Sequence, residues 1–215
     1  RGIPVVFTLH DYKTVCPAYL RLRDGHVCSE CIDSGFGRVI ANRCADGSFG
    51  KSALLYAEAV VQKFLGNYEM VDVFLSPSAF LLDAVTKHRL PRGRVKLLYN
   101  GIDLDTVAPA TDDDGYILFI GRLSQEKGIR TLLKAHAMLS PAVRLVVAGT
   151  GPMEKELKAE FPGVSFVGHV TGDELHRTIK AASAIVVPSE WYENCPMSVL
   201  EAMAYGKPVI ASKIG

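Results

Sequence analysis

The sequence predicts an α/β fold in which a mostly parallel sheet is covered by helices on both faces. Apolar strand-like runs alternate with helical patterns along most of the 215 residues, which is typical of such a sheet. A polar, acidic, proline-containing segment at 103–115 interrupts this alternation and is the best candidate for a domain boundary. We therefore expect two domains, at 1–106 and 107–215.

The composition is that of an ordinary globular protein, with 48% hydrophobic and 22% charged residues. The formal net charge of +1 gives no reason to expect nucleic-acid binding. No apolar run approaches the roughly 20 residues of a membrane-spanning helix, and the apolar run at 3–7 is too short for a signal peptide. We therefore expect a cytoplasmic protein. The sequence begins and ends near strand-like runs, so we expect the central portion of a longer chain, with both domains truncated.

The first half contains a strand at 3–9 that ends in His10 and Asp11. Residues 12–50 are rich in Cys, Gly and Arg and too long for a plain connection, so we interpret them as an irregular insertion. Apolar residues on helical spacing and short apolar runs predict the rest of this half. Its elements are helices at 52–65 and 78–87, the latter capped by Ser78, and strands at 71–75 and 95–99.

The second half alternates more regularly between strands and helices. The predicted strands are at 116–120, 144–148, 164–167, 184–187 and 208–212. The predicted helices are at 128–139, 152–161 and 173–182, with a further helix starting near Pro196.

Two glycine-containing loops follow the first two of these strands. Arg122 and Lys127 lie in the loop 121–128 (GRLSQEKG), and two cations beside helix amides suit a diphosphate. A solvated basic loop explains these residues equally well. The loop 149–152 (GTGP) lacks the third glycine of a dinucleotide fingerprint. A tight turn is the better interpretation there, with close approach of a ligand as the alternative.

Four of the five cysteines fall in the predicted insertion. The pair separated by two residues suits a chelating hairpin, and two further thiols could complete a tetrahedral zinc site. Three interpretations stay open: structural zinc, free buried thiols, and a disulfide or redox pair. Catalytic zinc is not expected, because four thiolates leave no open coordination position. The residues are Cys16, Cys28, Cys31 and Cys44.

Two glutamates bracket the loop and helix start after the run 184–187. A carboxylate pair around a helix N-terminus can hold a hydroxyl-rich ligand whose anionic part contacts the helix amides. Glu201 sits in an apolar helical segment, where a charge needs a partner, and ribose hydroxyls would supply one. The alternative for Glu193 and Glu201 is a carboxylate facing solvent. His10, at a strand end, either contacts substrate or has a structural role.

These motifs, in their order along the chain, resemble those of the group 1 retaining glycosyltransferases, family 4. The resemblance rests on 193–212 (ENCPMSVLEAMAYGKPVIAS), the loop 121–128, the segment 99–103 (YNGID) and the strand end 9–11 (LHD). It implies the GT-B architecture, two Rossmann-like domains facing each other across a cleft, with the acceptor side first and the nucleotide-sugar side second. It also implies hexosyl transfer from a nucleotide-diphosphate sugar to a saccharide or lipid-linked acceptor, with no catalytic metal. A lipid-linked acceptor would add peripheral membrane contact.

The resemblance also implies residue roles. Glu193 and His10 would act at the donor sugar, Glu201 would bind ribose, and Arg122 with Lys127 would stabilise the leaving diphosphate. Many family members have Phe-Gly where this chain has Asn194-Cys195, and a residue other than glycine limits backbone approach. The alternatives are a non-catalytic nucleotide-sugar-binding module and a GT-B-type sugar-nucleotide epimerase. The implied donor-binding set is Gly121, Arg122, Lys127, Val170, Asn194, Cys195, Pro196, Met197 and Glu201.

Overall fold

The structure, a computed structural model, describes residues 2–214, with the side chain of Thr106 excepted. The chain divides between Asn100 and Gly101 into two compact units, unit 1 before this point and unit 2 after it. The boundary predicted at residue 106 lies in the opening stretch of unit 2. The mixed α/β architecture with parallel sheets that the sequence predicts is confirmed.

Unit 1 is built on a three-stranded parallel sheet with the order β1-β4-β5. The strands are short: β1 is Val6–Thr8, β4 is Val73–Ser76 and β5 is Val95–Leu97. The two long helices of this unit are α3, Phe49–Phe64, and α4, Ala79–His88. The strand expected at 3–9 is thus shorter than predicted, because only its last half pairs with β4.

Serine caps fix the starts of both long helices. The Ser78 side chain accepts a hydrogen bond from the Leu81 amide at 3.1 Å, so α4 begins as expected. Helix α3 begins earlier than predicted, because Ser48 caps it through the Lys51 amide. Ser52, where the helix was expected to start, is buried inside it and accepts a hydrogen bond from the Ala45 amide.

The predicted insertion is not wholly irregular. A two-stranded hairpin, β2 (Leu22–Arg23) and β3 (His26–Val27), is followed by the short helices α1 (Glu30–Ser34) and α2 (Arg38–Ala41). In the part of the chain that the structure describes, every non-glycine residue with positive φ belongs to this insertion. Such conformations are unfavourable for residues with a Cβ. The residues are Tyr19, Arg21, Asp24, Arg43 and Asp46.

Unit 2 is built on a five-stranded, all-parallel sheet with the order β10-β9-β6-β7-β8. The strands are β6 (Tyr116–Ile120), β7 (Arg144–Ala148), β8 (Ser165–Gly168), β9 (Ala182–Val187) and β10 (Val209–Ala211). The helices are α5 (Ile129–His136), α6 (Glu154–Glu160), α7 (Gly172–Lys180) and α8 (Met197–Ala204). The bounds of β6 and β7 agree with the prediction, and the other elements differ by a few residues at their ends.

Two apolar clusters cover the two faces of this sheet. Alternation along β6 sends Leu118 into one cluster, with Ile179 of α7 and Ala202 of α8. The next residue, Phe119, joins the other cluster with Leu133 of α5. The sheet is therefore the middle layer of three, as expected for parallel strands buried on both faces. Among residues 2–214 no helix combines the length and apolar character needed to cross a bilayer.

Candidate functional site

The strand order of unit 2 places a ligand cleft at one edge of its sheet. From β6 the chain moves outward to β7 and β8, then returns to the other side of β6 for β9 and β10. In open α/β sheets, ligands bind at the carboxyl ends of the strands where the order reverses in this way. An open cavity of about 690 Å³ lies at this edge, lined by the residues that follow β6, β7 and β8 and by the start of α8.

The cavity gathers most of the residues predicted for a donor site. Glu193, Asn194 and Cys195 are partly buried in the adjoining loop and are not among the lining residues. Thr150, Thr171 and Ser198 also line the cavity, although no individual role was predicted for their side chains from the sequence. Their position next to strand ends or a helix start was the available signal. The predicted residues that line the cavity are Gly121, Arg122, Lys127, Val170, Pro196, Met197 and Glu201.

A lysine–glutamate ion pair joins the loops that follow β6 and β9. Lys127 Nζ lies 2.6 Å from Glu193 Oε1, and the side chains are 27% and 12% exposed. The Ser189 hydroxyl donates to the same carboxylate oxygen at 2.6 Å. Lys127 Nζ also lies 5.0 Å from the centre of the Trp191 ring. The two predicted residues are thus in direct contact, with the carboxylate held from two sides.

The Trp191 indole occupies the same loop, partly buried. Its Nε1–H is buried and has no hydrogen-bond acceptor within residues 2–214. A buried donor of this kind costs free energy unless a partner satisfies it. An acceptor supplied by a ligand would remove that cost.

Backbone contacts lock the two loops together around Gly128. This residue has φ +65°, and a Cβ built on it would lie 1.9 Å from the Pro188 carbonyl oxygen. The Glu190 amide donates to the Glu126 carbonyl at 2.9 Å, and the Thr131 hydroxyl contacts the Glu190 carboxylate. Gly128 is therefore required for this close approach, which positions Lys127 beside Glu193.

Glycines also allow the loops after β6 and β7 to pack against each other. A Cβ on Gly149, whose φ is +138°, would lie 1.9 Å from the Gly121 carbonyl oxygen. A Cβ on Gly151 would lie 2.4 Å from the Leu123 carbonyl oxygen. The Leu123 amide donates to the Thr150 carbonyl at 2.9 Å. Loop packing thus explains both glycines, which also line the cavity.

Helix α8 directs its N-terminus into the cavity. Pro196 is its N-cap residue, one position before the helix, and provides no side-chain hydrogen bond to the first turn. Pro196, Met197 and Ser198 all line the cavity. Unsatisfied N–H groups and the positive end of the helix dipole make such a terminus suitable for an anion.

Glu201 lies one turn further along α8 and also faces the cavity. Burial raises the pKa of its carboxyl above the ordinary value, and the nearby His176 partly opposes this shift. His176 Nδ1 is hydrogen-bonded to the hydroxyl of buried Tyr205. A half-buried carboxylate near the helix dipole can accept hydrogen bonds from ligand hydroxyls without losing much further hydration.

The remaining predicted residues belong to unit 1. His10 is exposed directly after β1. The four cysteines of the insertion line a single small cavity. A hydrogen bond with the Cys31 thiol lowers the pKa of Cys16 to about 6 and raises the pKa of Cys31. Among residues 2–214, no group of three or more His, Cys, Asp or Glu side chains is placed to hold a metal ion.

The sequence pattern described as "Glycosyl transferases group 1" matches residues 103–215, more than half of the chain. An uncharacterised glycosyltransferase of Methanocaldococcus jannaschii is 29% identical over 98% of this chain and 58% of its own length. A GDP-mannose-dependent alpha-mannosyltransferase of Mycobacterium tuberculosis is 30% identical over 74% of this chain and 44% of its own length. The chain therefore spans less than two thirds of either relative.

Solved structures are similar in fold. HepE of Anabaena, in complex with UDP and glucose, superposes with a TM-score of 0.68 at 19% identity, covering 99% of this chain and 53% of that one. The lipopolysaccharide outer core galactosyltransferase WaaB superposes with a TM-score of 0.56 at 25% identity, covering 68% of this chain and 44% of that one. The fold is that of the GT-B glycosyltransferases. With its matching sequence pattern, the chain belongs to the group 1 glycosyltransferase family.

Proposed function

We propose that unit 2 is the donor-binding half of a retaining glycosyltransferase that moves a hexose from a nucleotide-diphosphate sugar to an acceptor hydroxyl. The observation that carries this proposal is the Lys127–Glu193 ion pair at the strand-reversal edge of the sheet. It pairs a cation suited to a diphosphate with a carboxylate suited to sugar hydroxyls. The mycobacterial relative is a GDP-mannose-dependent transferase, and GDP-mannose belongs to the same class of substrate.

Charge development explains the positions of the cations. As the bond from the sugar to the diphosphate breaks, negative charge grows on the departing diphosphate. Lys127, exposed Arg122 and the first amides of α8 all border the cavity where that charge would lie. Fixed donors aimed at developing charge lower the barrier. These groups supply the charge stabilisation that a divalent cation gives other transferases, so we propose a metal-independent reaction.

The other predicted residues have matching roles. Glu201, half-buried on α8, would accept hydrogen bonds from the ribose hydroxyls. Glu193 would contact the sugar ring, and Asn194 with Cys195 would contribute backbone groups beside it. Val170 lines the cavity after β8, where backbone groups would hold the base. His10 completes the proposed catalytic set on the strength of the family resemblance alone.

The acceptor in this proposal is a saccharide or lipid-linked hydroxyl. HepE binds UDP and glucose in its solved complex, and WaaB is a lipopolysaccharide galactosyltransferase by name. A lipid-linked acceptor would bring a cytoplasmic enzyme to a membrane surface by peripheral contact.

Nucleoside diphosphate release tests this proposal. Full-length protein is incubated with a panel of nucleotide sugars, with and without saccharide acceptors, in the presence of a chelator. Lys127→Ala and Glu193→Ala should each lower kcat about 100-fold or more, as expected for removing a charged group that acts in the transition state.

A second lysine–glutamate pair provides the matched control. Lys158 and Glu154 form a 2.7 Å ion pair on α6, away from the cavity. Lys158→Ala should leave release unchanged. Equal rates for the Lys127 and Lys158 variants would reject the site assignment. Donor binding without turnover in the presence of any acceptor tested would favour a non-catalytic binding module. Conversion of one donor sugar to another without an acceptor would favour an epimerase.

A further inference from the structure

The cysteines of the insertion form the strongest feature of the molecule that donor binding does not use. They reach one place from four different local elements: the turn after β1, the end of the hairpin, helix α1 and the segment after α2. We call them the four-cysteine cluster, and they are Cys16, Cys28, Cys31 and Cys44.

We propose that the four-cysteine cluster binds one zinc ion through four thiolates and so holds the insertion of unit 1 in its fold. Each thiol would lose its proton to solvent as its sulfur ligates the ion. Zinc prefers this tetrahedral all-sulfur set in structural sites.

The size of the cavity suits an ion rather than an organic ligand. Its volume is about 10 Å³, close to that of a single water-sized sphere. The fifth cysteine, Cys195, lies in unit 2 and takes no part. The cluster therefore combines four soft ligands with space for one small guest.

The hydrogen bonds around Cys16 resemble those found at metal ligands whose donor atom also accepts hydrogen bonds from the protein. The backbone amides of Ala18 and Arg21 hydrogen-bond to its sulfur. The Cys28 amide donates to the Arg21 carbonyl at 2.7 Å, which ties the second cysteine to the same turn. Groups that hydrogen-bond to a ligand atom fix its direction and spread its charge when it binds a metal.

Cations flank the cluster, where a zinc ion with four thiolates would carry two negative charges. The buried Arg21 side chain lies over the rings of Tyr12 and Phe80, at 5.1 and 5.6 Å from their centres, and acts electrostatically on Cys16. Arg23 acts in the same way on Cys44. A guanidinium that lines the same cavity stabilises negative charge on the cluster by Coulomb attraction.

The insertion also needs a cross-link to stay ordered. Its strands have two residues each and its helices five and four, lengths that are not stable alone. It also contains the left-handed residues described above, which persist only where surrounding structure holds them. A metal bound by a residue of α1 and by residues that follow β1, β3 and α2 would provide that constraint.

In the structure the sulfurs do not yet surround a common point, since residues 2–214 contain no group placed to hold a metal. A cysteine side chain has one torsion angle, so rotation can redirect a sulfur without moving the backbone. The hydrogen bond between Cys16 and Cys31 is the contact that would have to be exchanged for two bonds to the ion.

Metal analysis of the purified full-length protein tests the proposal. We expect about one zinc per chain and, after exchange with cobalt, intense tetrahedral d–d bands with sulfur-to-cobalt charge-transfer bands. Cys28→Ser and Cys31→Ser should lose the metal, whereas Cys195→Ser should retain it. Thiol titration of the unmutated protein should show four cysteines protected until a chelator is added, which keeps the test valid if the serine variants do not fold.

Several results would overturn the proposal. One is a folded, metal-free protein whose thiols react at once and whose melting temperature does not respond to zinc. Another is the presence of disulfides between these cysteines. The third is a cobalt spectrum without sulfur-to-cobalt charge-transfer bands. None of them bears on donor binding, which is measured separately by nucleotide release.

Discussion

Glu201 is a carboxylate in an otherwise apolar part of helix α8, and its surroundings oppose its charge. Burial raises the pKa of this carboxyl above its ordinary value. The folded chain therefore holds the proton more tightly than the unfolded chain does. The contribution of this carboxyl to the free energy of unfolding falls as pH rises from its pKa in the unfolded chain through its pKa in the folded chain. Above the pKa in the folded chain the contribution stays reduced. A residue that we propose for ligand binding thus lowers the stability of the folded chain.

Replacing this charge should separate stability from binding. Glu201→Gln should have a larger free energy of unfolding than the unmutated protein at pH 7, with the difference disappearing near pH 4. Its Kd for a nucleoside diphosphate should rise about 10- to 100-fold, the effect of losing hydrogen bonds to a charged group. Urea unfolding at the two pH values and calorimetric titration measure these changes.

Glu174, an exposed carboxylate on α7, is the control. Glu174→Gln should change the free energy of unfolding by no more than about 0.5 kcal/mol and leave nucleotide affinity unchanged. Lower stability of Glu201→Gln at both pH values would show that the carboxylate contributes to the fold instead of straining it.

The sequence predicted the individual residues of this site better than their contacts. It placed 121–128 and 193–201 after strands, and parallel strands bring such loops to one edge. It did not predict that Lys127 pairs with Glu193, nor that Ser189 holds the same oxygen. Lys127 and Glu193 are 66 positions apart, and their meeting depends on the strand order, which local pattern does not determine.

Among the connecting elements, the loops after β6 and β7 are the most tightly fitted. The Gly149 backbone lies against the Gly121 carbonyl, so that an added Cβ would overlap it. Any larger residue would push away the loop that carries Arg122 and Lys127. The contact between Gly121 and Gly149 thus determines where the loop after β6 places its two cations.

A pair of alanine substitutions can test this link. Gly149→Ala should lower the free energy of unfolding by at least about 2 kcal/mol, since it adds a Cβ both to a positive-φ residue and to a closed contact. Nucleotide affinity should fall with it. Gly163→Ala, where φ is not positive and nothing lies within 4 Å of the new Cβ, should be neutral or slightly stabilising. Thermal unfolding of the two variants decides, and equal losses would contradict the role of the contact.

Helix and strand boundaries show what local patterns omit. The bounds of β6 and β7 were predicted correctly because each is a run of mostly apolar residues that stops at a glycine, Gly121 after β6 and Gly149 after β7. The start of α3 was misplaced because Ser52 resembles a cap but is used inside the helix, where its side chain binds the Ala45 amide. Side chains such as Leu54 and Phe64 gave the helical spacing, yet they are 71% and 87% exposed. Periodicity predicted the helix but not which face is buried.

At the scale of the whole unit, two open cavities lie at opposite edges of the five-stranded sheet. One, of about 690 Å³, is bordered by the carboxyl ends of the strands. The other, of about 540 Å³, is bordered by the starts of β7 and β8. The first has helix N-termini, Arg122 and Lys127 beside it, whereas the second is lined by the C-terminal ends of α5 and α6 and by Arg144 at the start of β7. A nucleotide should therefore bind at the first cavity.

Hydrogen exchange can distinguish the two edges. Addition of UDP or GDP should slow amide exchange at 121–128 and 196–199 by about tenfold or more, according to the occupancy reached. Exchange at 161–164, beside the other cavity, should not change. Protection at 161–164 alone would move the binding site to the opposite edge.

The strand order also sets when this site can form during synthesis. Strand β6 pairs with β7 and with β9, while Lys127 and Glu193 are separated by 66 positions in the chain. At about 5–20 residues per second, a ribosome needs roughly 3–13 s to add that length. During this interval one edge of β6 lacks its neighbour and exposes unpaired backbone groups. A nascent chain would therefore have a half-built sheet before it has a site, and nucleotide could stabilise it only after α8 has emerged.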